Sequence, residues 1–182
     1  MSPKIDESRP FLAVHIAILT VSDTRSETDN KSGRSLAEMV TSAGHRVAAK
    51  TIVKDDQAAI VAQLKAWIAD PSIDVVISTG GTGVTGRDVT PEAFHAVYEK
   101  EIAGFGELFR AQSYLKIGTS TLQSRATAGV AGGTYLFALP GSPGACRDGW
   151  EIIQHQLDNR TRPCNLVELM PRLQEHCPPA KR

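Results

Sequence analysis

Four glycines lie within the seven residues from Gly80 to Gly86, directly after an apolar run that ends at Ile77. Glycine allows the main chain to turn sharply and lets backbone N–H groups approach an anion closely. Thr79 and Thr82 add hydroxyl donors to the same stretch. This composition predicts a loop that binds a phosphate or another anionic group.

Two aspartates, Asp55 and Asp88, each follow an apolar run at a different point of the chain. A carboxylate next to a phosphate is repulsive unless a divalent cation lies between them. Taken singly, each has a simpler interpretation, since Asp88 suits a turn and either Asp55 or Asp56 suits a helix cap. Because Asp55 and Asp88 are expected at the same edge of one sheet, we interpret them together as Mg²⁺ ligands.

The residues from Gly81 to Gly86 also match the pattern GxGxxG of dinucleotide-binding loops. In that motif the helix begins within the glycines, so that its N-terminus faces the pyrophosphate. Here Thr90 and Pro91 predict a helix that begins beyond the last glycine, with Thr90 as its N-cap. No lysine follows the glycines as a P-loop requires. A dinucleotide-binding oxidoreductase stays as an alternative.

Further polar residues are predicted near the same loop. The helix that opens at Thr90 carries Glu92 in its first turn, and Ser142–Pro143 are typical of the start of another helix. Free N–H groups at helix starts attract anions. Ser124 and Arg125 precede a predicted strand, where the guanidinium either clamps a phosphate or is simply exposed. Together these residues could bind two anionic groups, as a site for two phosphorylated ligands would require.

Strand and helix patterns alternate along the chain. Strands are expected at 14–21, 46–53, 74–79, 126–130 and 134–139, and helices at 32–43, 56–69, from 90 onward, 104–115 and 142–157. This order predicts an α/β fold, a three-layer α/β/α sandwich with a mainly parallel sheet. Ligands of such folds bind beyond the carboxyl ends of the strands. The polar loops that begin at Ser22–Asp23, Lys54, Thr79 and Pro140 all follow strands, as that rule requires.

Composition narrows the class of protein. The 182 residues are of a length for one domain, with 1–11 expected as a flexible tail and 160–182 as a proline-rich arm. Equal numbers of acidic and basic residues leave no basic surface for nucleic acid or an anionic membrane. The run Phe11–Val21 is too short to cross a bilayer. Three cysteines without zinc spacing indicate reduced thiols in the cytoplasm.

Several stretches together resemble a known family. The segment TGGTGVTGRDVTPEA at 79–93 is the most specific, and AILTVSD at 17–23, TSTLQSRATAG at 119–129 and LPGSPGAC at 139–146 support it. They are similar to the molybdenum cofactor biosynthesis proteins of the MoaB and MogA family. The resemblance spans about residues 14–165, and TSTLQSRA and TRPCN (161–165) match the MoaB branch best.

The resemblance implies a molybdopterin-binding domain that assembles as a homo-trimer or, in the MoaB branch, a homo-hexamer. It implies Mg²⁺-dependent adenylylation of molybdopterin by ATP with release of pyrophosphate. Asp55 and Asp88 match the family aspartates of catalysis and Mg²⁺ binding. The predicted substrate-binding residues are Ser22, Asp23, Thr79, Gly80, Gly81, Thr82, Gly83, Thr90, Glu92, Ser124, Arg125, Pro140, Gly141, Ser142 and Pro143.

Two functions remain open within this resemblance. Some members of the MoaB branch have lost activity and depart from the RDVTPEA signature, whereas this chain retains it at 87–93. We therefore expect an active enzyme, with a non-catalytic molybdopterin-binding protein as the alternative. Contact with other proteins of cofactor biosynthesis is a further expectation, and none is expected with nucleic acid or membranes.

Overall fold

The structure is a computed structural model and describes residues 4–175. The strands of this part of the chain are β1 (Lys4–Ile5), β2 (His15–Val21), β3 (Arg46–Val53), β4 (Val75–Thr79), β5 (Lys100–Glu101), β6 (Thr127–Ala131), β7 (Thr134–Leu139) and β8 (Thr161–Arg162). The α-helices are α1 (Lys31–Ser42), α2 (Gln57–Ile68), α3 (Thr90–His95), α4 (Ala103–Ile117) and α5 (Pro143–Leu157). Gly118–Gln123 and Val167–Arg172 form 3-10 helices.

The central sheet has six strands in the order β3-β2-β4-β7-β6-β5. Neighbouring strands from β3 to β7 are parallel, whereas β6 and β5 are antiparallel to their neighbours. One core packs α1, α4 and α5 against the sheet, and a second core packs α2 and α3 against its other face. These layers confirm the predicted three-layer α/β/α sandwich with a mainly parallel sheet.

Polar caps start three of the helices and set where the loops before them end. Asn30 Oδ1 accepts from the Gly33 N–H at 2.9 Å, Asp56 Oδ1 from Ala59 at 2.8 Å, and Ser142 Oγ from Ala145 at 3.1 Å. Each bond satisfies a backbone donor that the helix itself leaves unpaired. Since Asp56 is the cap of α2, the carboxylate of Asp55 is left for another role.

The N-terminal segment differs from the flexible tail that the sequence suggests. β1 pairs antiparallel with β8, and Asp6 forms an ion pair with Arg162 at 3.0 Å. The Leu12 N–H donates to Asn159 Oδ1 at 2.9 Å, which ties the entrance of β2 to the end of α5. Residues 4–12 therefore contact the C-terminal arm, because each segment offers backbone and charged groups that the other satisfies. The remaining tail residues 1–3 and arm residues 176–182 lie outside the described part.

None of the helices within residues 4–175 combines the length and the apolar character that a membrane crossing requires.

Candidate functional site

The loops after β2, β3, β4 and β7 meet at one edge of the sheet, because these strands run parallel and end side by side. Thr20 and Leu139 flank Thr79 in the strand register, and the Gly80 N–H donates to the Leu139 carbonyl at 3.0 Å. The glycine-rich segment therefore begins between the ends of β2 and β7. This is the edge at which the sequence predicts ligand binding.

The first glycines of the loop are required by their conformation and by their close neighbours. Gly80 and Gly81 have φ values of +106° and +64°, in the left-handed region that side chains other than glycine rarely adopt. A Cβ atom on Gly80 would also overlap the carbonyl oxygen of Val21. At Gly83 a Cβ atom would lie 2.8 Å from Asp88 Oδ2, so this glycine leaves room for the carboxylate.

Two cavities adjoin along this loop. The larger has a volume of about 770 Å³ and the smaller about 400 Å³. Both are lined by Gly81, Asp88 and Gly141, so these residues lie between the two spaces. Two ligands that occupied the cavities would meet at Asp88.

The larger cavity is lined on one side by the predicted loops and on the other by α4, the 3-10 helix after it and α5. Phe109 and Ile117 provide apolar surface there. Its remaining lining is mainly polar: Thr82, Ser113, Lys116, Ser120, Thr121, Gln123, Ser124, Ser142, Arg147 and Asp148. An apolar wall beside hydroxyl and charged groups suits a flat ring system that has polar edges.

The smaller cavity is lined by three acidic side chains together with two arginines, Arg25 and Arg87. Asp23, Asp55 and Asp88 all line it. Asp23 and Asp55 hold one another through their main chains: the Asp23 N–H donates to Asp55 Oδ2 at 3.1 Å, and the Asp55 N–H donates to Asp23 Oδ1 at 3.2 Å. These bonds fix the loops after β2 and β3 to each other and orient both carboxylates.

The two predicted metal ligands differ in their acidity. Burial, and then the negative charge of Asp88, raise the pKa of Asp55. Burial also acts to raise the pKa of Asp88, but hydrogen bonds from the Thr85 hydroxyl at 2.6 Å and the Thr85 N–H at 2.9 Å outweigh it and lower that pKa. Asp88 is therefore held ionised, and its charge acts on Asp55. A cation between them would relieve this repulsion.

No cluster of three or more His, Cys, Asp or Glu side chains is placed to hold a metal in residues 4–175. Mg²⁺ is commonly bound by one or two carboxylates, with the remaining positions taken by water and substrate phosphates. Asp55 and Asp88 fit that smaller set of protein ligands.

Arg125 braces the glycine loop instead of facing the cavities. Its Nε donates to the Gly83 carbonyl at 2.6 Å and its Nη2 to the Asp88 carbonyl at 2.6 Å, while Nη1 pairs with Glu92. Each of the three guanidinium nitrogens thus has a partner within the protein. These bonds hold the main chain on both sides of the Thr85–Arg87 turn.

Thr90 is not the N-cap of its helix, and this part of the prediction is wrong. The N-cap is Val89, no side chain caps α3, and the Thr90 hydroxyl donates to the Gly80 carbonyl at 2.9 Å. The hydroxyl is buried and bonds the loop because the loop folds back over the helix start. α3 nevertheless begins at Thr90, four residues beyond Gly86, which argues against the dinucleotide-binding alternative.

The structure divides the predicted substrate-binding residues into two groups. Thr79 is buried and its hydroxyl donates to the Pro140 carbonyl at 3.1 Å, so it joins two loops below the cavities. Residues that line a cavity are Ser22, Asp23, Gly81, Thr82, Gly83, Ser124, Pro140, Gly141 and Ser142, and those outside both linings are Thr79, Gly80, Thr90, Glu92, Arg125 and Pro143.

The sequence did not predict several of the residues that line the two cavities. Arg87 was seen only as part of a signature, and Phe109, Ser113 and Arg147 lie within helices. Polar residues on a helix are ordinarily solvent-exposed, so only their position over the sheet edge marks them. The segment TSTLQS at 119–124 was the one available signal for the far wall of the larger cavity.

Similar proteins identify the family of this chain. The family described as "Probable molybdopterin binding domain" matches residues 17–159. The chain is 55% identical over 159 residues to molybdenum cofactor biosynthesis protein B of Escherichia coli K12, covering 87% of this chain and 94% of that protein. It is 50% identical over 135 residues to the protein of the same name from Bacillus cereus, covering 74% and 80%.

Solved structures show the same fold. A crystal structure of molybdenum cofactor biosynthesis protein B superposes with a TM-score of 0.81 at 40% identity, covering 97% of this chain and all of that one. The tungsten cofactor synthesizing protein MoaB from Pyrococcus furiosus superposes with a TM-score of 0.74 at 34% identity, covering 90% and 98%. The chain therefore belongs to the molybdopterin-binding domain family, as a protein of molybdenum cofactor biosynthesis similar to MoaB.

Proposed function

We propose that the protein adenylylates molybdopterin with ATP and Mg²⁺, releasing pyrophosphate. The observation that carries this proposal is the pair of adjoining cavities that share Gly81, Asp88 and Gly141. The larger, partly apolar cavity suits the pterin, and the smaller acidic cavity suits the metal-bound phosphates of ATP. The reacting groups would then meet at the glycine loop.

In this reaction an oxygen of the molybdopterin phosphate attacks the α-phosphorus of ATP. A new P–O bond forms, the bond to the β-phosphate breaks, and its electron pair leaves on pyrophosphate. The chain itself has little covalent work to do, because phosphoryl-type transfer depends mainly on positioning and charge. Gly81 lines both cavities and Gly83 lines the larger one, so the glycine loop would lie beside the phosphates of both ligands in this proposal.

Asp55 and Asp88 would hold Mg²⁺ in this proposal. When bound, the ion would neutralise the approaching phosphates and withdraw charge from them as a Lewis acid. Asp88 is kept ionised and oriented by Thr85, and Asp55 is oriented by Asp23. The two carboxylates are therefore oriented by the protein itself, without a bound ligand.

Turnover with purified protein tests the proposal. Molybdopterin, ATP and Mg²⁺ are incubated with the chain, and adenylylated molybdopterin and pyrophosphate are measured. We expect both products, and Asp88→Asn should abolish them while molybdopterin binding persists, because only charge next to phosphate is lost. Normal turnover by Asp88→Asn would contradict the assigned role of Asp88.

The second function is a molybdopterin-binding protein without turnover. It is favoured by the larger cavity alone, which would accept a pterin whether or not ATP binds beside it. Tight binding of molybdopterin without any product would support this function and overturn the first.

We also propose that the protein acts in the cytoplasm as a homo-trimer or homo-hexamer, as the resemblance implies. The two cysteines within residues 4–175, Cys146 and Cys164, are free thiols, in keeping with a reducing compartment. A cluster of exposed apolar side chains lies on α4 and the following 3-10 helix, and we assign it to contact with a second copy of this chain. Its members are Leu108, Tyr114, Leu115, Ile117 and Leu122. Contact with other cofactor-biosynthesis proteins is a further proposal.

A further inference from the structure

Arg87 is an exposed residue whose guanidinium reaches across to another loop. It lies on the turn between the glycine loop and α3, and its side chain is 76% exposed. It forms an ion pair with Asp23, which follows β2. Both residues line the smaller cavity together with Asp55 and Asp88. The pair thus joins two loops at the acidic end of the site.

This contact is of a different kind from those of Arg125. Arg125 donates to two backbone carbonyls besides its carboxylate partner, whereas Arg87 makes no second side-chain hydrogen bond or ion pair with residues 4–175. A Cβ atom on the adjacent Gly86 would meet no atom within 4 Å, so the space beside this residue of the turn is open. The Asp23 side chain is 24% exposed, so the pair is open to solvent mainly on the arginine side, and ion pairs that solvent reaches are weak. Arg87 is therefore able to change partner at little cost.

Asp23 would remain in place without Arg87. Its Oδ1 accepts from the Asp55 N–H at 3.2 Å, and its own N–H donates to Asp55 Oδ2 at 3.1 Å. The carboxylate is thus anchored by the main chain. Loss of the ion pair would free the guanidinium without disturbing the loop that carries Asp55.

We propose that Arg87 binds the polyphosphate of the nucleotide and that it leaves Asp23 to do so. This inference rests on the proposed function, since it assigns the smaller cavity to phosphates. An arginine–phosphate contact is charge-assisted and often bidentate, and so it competes well with a single carboxylate. During transfer the negative charge that develops on the departing pyrophosphate would lie next to the guanidinium, which would stabilise it.

Binding of inorganic pyrophosphate in the presence of Mg²⁺ tests the inference without turnover. Isothermal titration calorimetry would compare the wild-type chain with Arg87→Ala and Arg87→Lys. We expect Arg87→Ala to weaken binding at least about tenfold, and Arg87→Lys to weaken it less, because lysine keeps the charge but not the planar fork. Arg46→Ala is the matched control, because Arg46 is exposed at the start of β3, at the opposite end of the sheet. It should bind like wild type.

A double-mutant cycle tests the change of partner. Asp23→Asn removes both a repulsive charge and the partner of Arg87, so it should tighten pyrophosphate binding in the wild-type background. In the Arg87→Ala background only the repulsion is removed, and the gain should be smaller. Unequal gains support the exchange, because effects add only for groups that do not interact.

Equal gains in the two backgrounds, or an Arg87→Ala variant that binds like wild type, would overturn the inference. Absence of pyrophosphate binding by the wild-type chain would overturn the inference as well, whereas the proposed reaction is judged separately, by the formation of adenylylated molybdopterin. Binding that depends on Arg87 but comes without adenylylated product would support the inference while contradicting the proposed reaction. The failures of the two proposals are therefore distinguishable.

Discussion

At the scale of single residues, the site separates groups that hold the loop in shape from groups that line a cavity. Thr79, Thr90 and Arg125 belong to the first kind, since their polar atoms bond main-chain carbonyls of the loops. Asp55 and Asp88 belong to the second, since both line the acidic cavity. A residue type suited to binding phosphate is thus equally suited to holding a phosphate-binding loop in place.

Gly80→Ala should destabilise the protein by more than about 1 kcal/mol, because the residue would need a left-handed conformation that alanine resists. The added methyl group would also overlap the Val21 carbonyl. Urea unfolding followed by circular dichroism measures the effect. Gly86→Ala is the matched control, since that position has open space around its Cβ atom. Equal stability of the two variants would contradict the assignment of strain to Gly80.

Asp55→Asn should raise the stability of the protein at neutral pH, because the pKa of Asp55 in the folded chain is raised above the ordinary value of 3.8. A group with a raised folded pKa binds more protons when folded, so its charge costs stability once the pH rises above that folded pKa. The gain from the substitution should disappear as the pH falls through the raised pKa to below 3.8.

Asp88→Asn should have the opposite sign, because the folded pKa of Asp88 is lowered. Its carboxylate contributes stability at neutral pH, and this contribution is lost as the pH falls from the ordinary value of 3.8 through the lowered pKa. Thermal melting of both variants and wild type across pH measures the two differences. The same sign for both variants at neutral pH would show that the environments of the two carboxylates are not as described.

At the scale of elements, the glycine loop keeps its conformation because neighbouring elements bond to it. The strand β6 begins just after Arg125, and this brings the guanidinium to Gly83 and Asp88. The helix α3 supplies Glu92 as the counter-charge and Thr90 as the bond to Gly80. Rigidity of a Gly-rich segment, which has no side chains of its own to pack, must come from such neighbours.

Arg125→Ala should destabilise the loop by about 1–3 kcal/mol, because two backbone carbonyls would lose their donor in a partly buried place. Arg125→Lys should restore only part of the lost stability, because a single ammonium group cannot reach all three acceptors of the planar guanidinium. Hydrogen exchange of the amides from 82 to 89 reports the loosening locally. Unchanged exchange in Arg125→Ala would show that the loop is held by other contacts.

At the scale of the whole molecule, one apolar surface is left without a partner within residues 4–175. Leu115 and Leu122, on α4 and the 3-10 helix after it, are 84% and 80% exposed. Large exposed apolar clusters mark interaction sites. The same elements form the far wall of the larger cavity, so assembly through this surface would also stabilise the proposed molybdopterin site.

Leu115→Glu should lower the mass of the particle in solution, because a charge would be buried in the contact between copies. Size-exclusion chromatography with light scattering measures the mass, which we expect to be a trimer or hexamer of 19.6 kDa chains for the wild type. Leu12→Glu is the control, since Leu12 is also exposed but lies far along the chain from α4. A monomeric wild type would contradict the proposed assembly.

Much of the fold followed from the sequence because its signals are local. Strand and helix patterns, the Asp56 and Ser142 caps and the start of α3 agree with the structure to within a residue or two. Those signals depend on propensity and on backbone groups a few positions apart. The sequence did not predict the contact between residues 4–12 and the C-terminal part of the chain. The bonded residues are separated by about 150 positions, beyond the reach of any local pattern.

By itself the sequence determined the α/β/α class, the edge of the sheet that carries the loops, and the family, since these depend on periodicity and on a contiguous motif. Only the tertiary structure decided which polar residues face the cavities. Thr79, Thr90 and Arg125 bond the loops, whereas Phe109 and Arg147 line the larger cavity from helices. The direction of a side chain depends on neighbours that distant parts of the chain supply. The type of a residue does not reveal which neighbours these are.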